Sequence, residues 1–487
     1  MFKERTEYLT FCLFIGTKII YTFLGDKMNY LLEKLRNGDS FNTKDSLLLT
    51  IYLSIPAILS QITVVVMEYA DASMAGRLGA KASASIGLVS TTTWLIGGFL
   101  LAVSLGFSVQ IAHHIGAKEN KEARNLVKAG LLSAMIFSCL ICLISVLIAP
   151  YLPIWLGGNK DIIHQASLYF LVFSLAIPFQ ELSVTCSGML QSSGNMKIPG
   201  VLNVFMCLLN ILFNAVFIFP QGTFAFLPGF NLGVLGAGLG TALSQIIISL
   251  CLLYYLLFKS EILHYRKDEK TVFHYYYFEN AVKIALPVIL EQIALNGAQI
   301  ISTKIISPLG NIAIAANSFS VTAEGLCYMP GFGIASAAST IIGQSIGAKR
   351  SELAKRLGWV VIVFGMIIMT LMGILMYIFA PLMIGLMSPD PAIRELGVSV
   401  LRIEAFAEPL FAAAIVGTGI FRGIGDTLMP TIINFMSMWL IRLPLAYFLA
   451  PILGLRGVWI GMALELTGRG FLYLLRLKTK KWSEYRH

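Results

Sequence analysis

Of the 487 residues, 57% are hydrophobic and only 13% charged, and the formal net charge is +10. A soluble domain carries about a quarter charged residues, so this chain has too little polar material to coat a globule of its size, and a lipid bilayer must solvate much of it. The positive charge argues against nucleic acid as a partner, because Lys and Arg gather in alternate loops instead of on one continuous patch.

At the amino end, residues 1–45 read as an extension. "LTFCLFIGTKIIYTFLG" (9–25) is apolar but short and interrupted by Lys18, and Met28 opens an amphipathic segment, "MNYLLEKLRNGDS". No small-residue cleavage site follows the apolar stretch, which argues against a secretory signal; Met28 is the expected physiological start.

From Ser46 onward the apolar runs predict twelve helices, near 46–72, 84–110, 126–150, 164–190, 197–220, 233–258, 280–306, 312–342, 357–380, 393–420, 429–452 and 455–477. About twenty apolar residues span a bilayer as a helix. Only helices or closed barrels satisfy their backbone there, and these runs are long and continuous where barrel strands alternate. The expected fold is an all-α polytopic membrane protein. The charged connector 259–279 separates an N-lobe, 46–258 (helices 1–6), from a C-lobe, 280–477, and 478–487 forms a basic tail. Basic residues cluster in "GAKENKEARNLVK" (116–128), "KSEILHYRKDEK" (259–270), "GAKRSELAKR" (347–356) and the tail, whereas "FPQGTFAFLPGFNLG" (219–233) has no Lys or Arg. By the positive-inside pattern the basic loops and both termini are cytoplasmic.

The two halves repeat each other at a constant offset of 231. "SIPAILSQI" (54–62) lies over "ALPVILEQI" (285–293), and "IGAKENKEARNL" (115–126) over "IGAKRSELAKRL" (346–357). Pro56 falls on Pro287, Pro178 on Pro409, Gly194 on Gly425 and Asn203 on Asn434. Past the fifth helix the offset drops to 221, aligning "LGAGLGTAL" (235–243) with "RGVWIGMAL" (456–464). Six helices per copy is an even number, so both copies enter from the same side. The repeats are then parallel and related by an axis along the membrane normal, as in secondary transporters that hold substrate between their halves.

The seven cysteines are scattered; the one CxxC, Cys139–Cys142, lies in the middle of a long apolar run, and no His/Cys cluster has metal-ligand spacing. No HExxH motif is present, and the GxSxG string "GQSIG" (343–347) ends a long apolar helical run and not a strand, so nothing supports an enzyme. The notable polar residues lie inside apolar helices. In "MEYADASMAG" (67–76), Glu68 and Asp71 share one helix face by their i, i+3 spacing. Two readings stand on these residues alone: a site that exchanges a cation or proton, or acids marking the outer end of helix 1 at the water interface. A charge inside the membrane costs about 2.5–3.5 kcal/mol on insertion scales and normally faces a cavity or a partner. The second half offers Glu291, Glu324, Glu404, Glu408 and Glu465, with Lys304, Arg402, Arg442 and Arg469 as possible internal partners. Of these acids Glu291, one turn after Pro287, is the one singled out for a role in the second lobe, because the proline's missing donor loosens its helix; Arg442 and Glu465 read as structural. Met and aromatic residues suit a wall that repacks around apolar cations. Trp94, Phe99, Tyr328 and Met329, on helices 2 and 8, are the candidates for that wall.

These stretches resemble the multidrug and toxin extrusion (MATE) family of bacterial efflux transporters. The resemblance rests on "IPAILSQI…DASMAGRLGA", "IGAKENKEARNL" and "GMLQSSGNMKIPGVLN" in the first half, and on "MPGFGIASAASTIIGQSIGAKRSELA" and "GIFRGIGDTLMPTIIN" in the second, and runs from about Ser46 to Leu477. It implies an antiporter in the bacterial inner membrane, monomeric and without a cofactor. Such an antiporter exchanges inward-moving Na⁺ or H⁺ for an organic, often cationic, small molecule, with Pro56 and Pro287 as hinges. It further implies that Asp71 is the cation-coupling carboxylate, with Asn210 and Asn214 of helix 5 and Thr241 of helix 6 as partners. Relatives carry a second aspartate where this chain has Asn214; Glu68 would then replace the missing charge. In the second lobe Asp71 falls on Ser302, Asn210 on Ile441 and Asn214 on Leu445, so the cluster is not repeated, and Leu295 stands where some relatives place a carboxylate. The alternative within the same superfamily is a lipid-linked saccharide flippase, which favours a cationic central cavity for pyrophosphate.

Overall fold

The computed structural model describes residues 27–221, 229–269, 272–388, 390–479 and Trp482. The apolar stretch 9–25 and most of the basic tail therefore lie outside the described residues.

A short helix α1 (27–37) precedes the first repeat, which consists of α2 (Thr43–Arg77), α3 (Ala80–Gly116), α4 (Asn120–Ile148), the short α5 (Leu152–Trp155), α6 (Lys160–Ser192), α7 (Lys197–Ile218) and α8 (Gly233–Tyr254). A π-helical turn, Tyr255–Lys259, prolongs α8. The second repeat holds α9 (Tyr275–Ile306), α10 (Asn311–Gly347), α11 (Ser351–Met387), α12 (Pro391–Glu404), α13 (Glu408–Ile424), α14 (Leu428–Met436), α15 (Leu443–Leu453) and α16 (Leu455–Lys478). A π segment, Ser437–Arg442, joins α14 to α15 into one rod.

Among the described residues, eleven helices are long and apolar enough to cross a bilayer. The remaining predicted span, 393–420, is divided at residues 405–407 into α12 and α13. Pro409 in the first turn of α13 has no N–H to return to Ala405, so the helix restarts there. The twelve expected spans are thus accounted for, the tenth as two collinear pieces in sequence. Local chemistry sets several starts. Asn42 caps α2 by accepting from the Asp45 N–H at 2.7 Å, while the Asp45 carboxylate accepts from the Asn42 N–H at 3.2 Å, a reciprocal capping box.

Within the lobes α2 packs on α7 and α3 on α6; across the lobes α2 packs on α10 and α3 on α9. These cross-pairs exchange under the 231 offset, as a two-fold axis requires. The axis passes beside two glycines. A Cβ on Gly116 would stand 2.2 Å from the Gln344 carbonyl oxygen, and one on Gly347 would stand 2.0 Å from that of His113. Gly116 corresponds to Gly347 and His113 to Gln344, so the repeats meet through one self-complementary contact that only a residue without a side chain permits.

Every cross-lobe hydrogen bond recorded among the described residues lies in the half of the molecule nearest the basic loops. Gln110 Nε2 donates to the Tyr277 carbonyl at 3.0 Å, Ser336 Oγ to Gln191 Oε1 at 2.6 Å and Gln344 Nε2 to the Ser192 carbonyl at 2.8 Å. His113 Nε2 lies 2.8 Å from the Gly423 carbonyl. Helix α1 covers this end. It buries Met28, Leu31, Leu32 and Leu35 against Leu49 and Leu53 of α2, Ile341 and Ile342 of α10 and Leu353 of α11. Arg36 then bridges the lobes, donating to Gln344 Oε1 at 3.0 Å and to the Ser193 carbonyl at 3.2 Å. Toward the opposite end α2 and α10 expose Val66, Glu68, Val321 and Thr322. The recorded hydrogen bonds thus join the lobes at the basic-loop end.

Candidate cation site

Asp71 sits in the half of α2 remote from the basic loops, where the helix lies against α7. Four-residue spacing puts Asn210 and Asn214 on one face of α7, both fully buried. Asn214 Nδ2 donates to Asp71 Oδ1 at 2.6 Å and to Asn210 Oδ1 at 3.1 Å. Asn210 Nδ2 donates to Thr241 Oγ1 of α8 at 3.0 Å, and that hydroxyl donates to the Ala237 carbonyl at 3.1 Å. Three helices therefore deliver one carboxylate, two amides and a hydroxyl to a single network. Its closeness depends on Gly240: a Cβ there would lie 2.1 Å from Asn214 Oδ1.

The network is one donor short. Asn214 Oδ1 is buried with no hydrogen-bond partner, and a buried acceptor left unmatched costs about 1–3 kcal/mol. A hard cation ligated by that oxygen and the Asp71 carboxylate removes this deficit, since carboxylate and carbonyl oxygens suit such ions. Glu68, one turn before Asp71, is solvent-exposed and close enough for its charge to act on Asp71. Tyr169 of α6 is also within electrostatic reach of Asp71. Sequence reasoning did not single it out, because Tyr169 carries no motif and comes to the site only through the packing of α6 on α8.

The other candidates fall elsewhere. Glu291 is buried in a separate cluster: its carboxylate accepts from Asn434 Nδ2 at 2.7 Å and Arg422 Nη2 at 3.0 Å, with Thr431 Oγ1 3.3 Å away and its proton nearer the Thr427 carbonyl at 2.9 Å. Asn434 Oδ1 in turn accepts from the Tyr473 hydroxyl at 3.1 Å. Unlike Asp71, Glu291 is saturated by protein donors. Glu465 pairs with Arg469 at 3.1 Å, and Glu404 and Glu408 are buried without a hydrogen-bond partner. Pro56 and Pro287 lie inside unbroken α2 and α9. Trp94 is 58% exposed, while Phe99, Tyr328 and Met329 are half-buried. Tyr328 packs edge-on against Phe332 and Phe411 and lies within electrostatic reach of Glu68 in the other lobe. Among the described residues no group of His, Cys, Asp and Glu is arranged to hold a metal ion.

Two six-span repeats joined at one end, with a polar cluster buried inside one of them, have the architecture of a membrane transporter. The MatE family profile matches residues 56–216 and 287–448, one match in each repeat. Similar proteins include a probable multidrug resistance protein NorM of Thermotoga maritima, 28% identical over 448 residues, covering 89% of this chain and 92% of the relative. Another of the same description, from Oceanobacillus iheyensis, is 26% identical and covers 89% of this chain and 97% of the relative. A crystal structure of a MATE in complex with MaL6 shares the fold, with a TM-score of 0.84 at 21% identity over 92% of this chain and 98% of that one. The chain belongs to the MatE family.

Proposed function

We propose that the protein is a secondary antiporter of the bacterial cytoplasmic membrane, exporting organic cationic compounds in exchange for Na⁺ or H⁺. The observation that carries this reading is the Asp71–Asn214–Asn210–Thr241 network, with its unmatched Asn214 oxygen, in a lobe hydrogen-bonded to the other at the basic-loop end. The names of the relatives, multidrug resistance proteins, agree with it. With the basic loops cytoplasmic, lobes hydrogen-bonded to each other at that end support reading this as the outward-facing state, which releases cargo and takes up the driving ion.

A carboxylate in a partly dry cavity bears a desolvation cost that a cation or a proton relieves. Asp71 serves as that carboxylate, Asn210, Asn214 and Thr241 supply further oxygens, and Glu68 supplements the charge. Coupling requires that ion and substrate never satisfy Asp71 together. Substrate contacts come from Tyr328 and Met329 of α10 and Trp94 and Phe99 of α3, and the lobes rock on bends at Pro56 and Pro287. Glu291 takes part in the second lobe only by giving up Arg422. The test is efflux of a fluorescent organic cation from proteoliposomes under imposed Na⁺ or H⁺ gradients. Gradient-dependent export supports the reading, and export indifferent to both gradients defeats it.

A further inference from the structure

The second lobe contains a cavity of about 20 Å³ between α9, α10, the π segment and α16, whose walls include Gln299, Ser302, Asn317, Arg442, Ala446 and Met462. One water needs ~10–15 Å³, so a halide ion or the end of a carboxylate fits where a drug-sized molecule does not.

The repeat explains these walls. Gln299 and Ser302 stand 231 residues after Glu68 and Asp71, and Met462 stands 221 after Thr241. At the constant offset Asn210 and Asn214 fall on Ile441 and Leu445, yet Arg442 and Ala446 form the wall, and Ile441 is 39% exposed. The π segment Ser437–Arg442 is the cause. A π turn takes in an extra residue and advances everything after it by one position; α7 has no such turn. The second MatE match is likewise one residue longer than the first. The cavity is thus the second lobe's counterpart of the Asp71 site. Both acids have become neutral, Gln299 and Ser302, and an asparagine has become the Arg442 guanidinium.

Among the described residues no carboxylate is hydrogen-bonded to that guanidinium. The recorded hydrogen bond of Arg442 goes to the Met462 sulfur, a weak acceptor, and no Asp or Glu among the described residues forms an ion pair with it. Glu324 and Glu404 are within electrostatic reach, but neither lines the cavity. The remaining polar walls offer donors. Asn317 Oδ1 already accepts from Trp459 Nε1 at 3.0 Å, which leaves the Asn317 amide N–H groups to face a ligand, beside the Gln299 amide and the Ser302 hydroxyl.

We infer that this cavity binds a monovalent anion, either a free halide or a carboxylate carried by the transported compound, held by Arg442 with support from Gln299, Ser302 and Asn317. In its carboxylate form the inference rests on the export reading and deepens it, narrowing the cargo to compounds with both a cationic centre and a carboxylate. In its halide form it stands independently of that reading.

The test is equilibrium binding of radiolabelled chloride and of radiolabelled acetate to the purified full chain in detergent. Saturable binding of either is expected, reduced at least tenfold in Arg442→Gln and in Ser302→Asp, the latter restoring the first lobe's carboxylate beside the guanidinium. Binding of chloride alone identifies the inorganic source, and binding of acetate identifies the carboxylate of the cargo. Absence of saturable binding in the wild-type protein, or unchanged binding in either variant that remains monodisperse, overturns the inference. Anion binding without any cation export removes the export reading and leaves the site; cation export without anion binding does the reverse.

Discussion

Asn434 donates to the Glu291 carboxylate at 2.7 Å in the place where the first repeat sets Asn203 against the Ser60 hydroxyl at 2.5 Å. The two pairs are equivalent under the 231 offset, so one inter-helix clasp survives in both lobes, as an amide–hydroxyl pair in one and as part of an ion-pair network in the other.

The difference predicts unequal sensitivity. Glu291→Ala leaves Arg422 and Asn434 without their common acceptor and should destabilise the protein by about 3–5 kcal/mol, the usual cost of breaking a buried pair. Ser60→Ala removes one neutral bond and should cost about 1 kcal/mol. Thermal unfolding of the two purified variants in the same detergent checks the order; equal losses would show that the Arg422 pair adds nothing.

Asp71→Asn keeps the shape of the site and removes its charge. It should abolish gradient-driven efflux, by at least tenfold in initial rate, while expression and monodispersity stay at wild-type levels. Glu68, exposed and outside the hydrogen-bonded network, should show a partial loss as Glu68→Gln. Efflux at the wild-type rate from a well-expressed Asp71→Asn protein reduces this aspartate to a residue of the water interface.

Arg124 clasps Glu269 of the connector with two bonds, 2.7 Å from Nε to Oε2 and 2.5 Å from Nη2 to Oε1, and also donates to the Ile262 carbonyl at 3.1 Å. The hydrogen bond from Arg124 holds the Glu269 carboxyl below the ordinary glutamate value of 4.5. A depressed folded value means the clasp stabilises fully above the ordinary value and is lost as pH falls through the depressed one. Hydrogen exchange over 259–269, corrected for intrinsic rates, should therefore stay slow at neutral pH and accelerate only once pH has fallen below the ordinary glutamate value of 4.5. Glu269→Gln should exchange fast throughout; a wild-type profile in that variant would show that the clasp does not order the connector.

Helix α1 docks through Leu35, which is fully buried among α2, α10 and α11. Leu35→Ala should lower stability by about 2–5 kcal/mol, the range for buried leucines. Burial also lowers the Arg36 guanidinium to about 10, a sign of its desolvation between the lobes. Arg36→Ala should then increase cysteine labelling at the inner seam, for example at a cysteine replacing Ser336, without changing the topology of the loops. Unchanged labelling would separate α1 from the closure of the lobes.

The sequence by itself determined the class of the protein. Long apolar runs, basic alternate loops and a 231-residue offset are properties of a string, and each has one physical meaning in a bilayer, so the spans and the doubled unit follow without coordinates. The candidates Asp71, Asn210, Asn214 and Thr241 were legible through family resemblance, but their meeting depends on α2, α7 and α8 converging where Gly240 lets them. Tertiary structure alone decided the rest. Glu291 finds Arg422 from 131 residues away, a pairing that no local pattern encodes. The tenth span breaks at residues 405–407, just ahead of Pro409, although Pro178, the counterpart of Pro409, lies inside an unbroken α6. The residue that enters the second lobe's polar position is Arg442 and not Ile441, because a helix can absorb an extra residue as a π turn. A string shows that a residue has been added; only the backbone hydrogen bonds show which side chains it has turned inward.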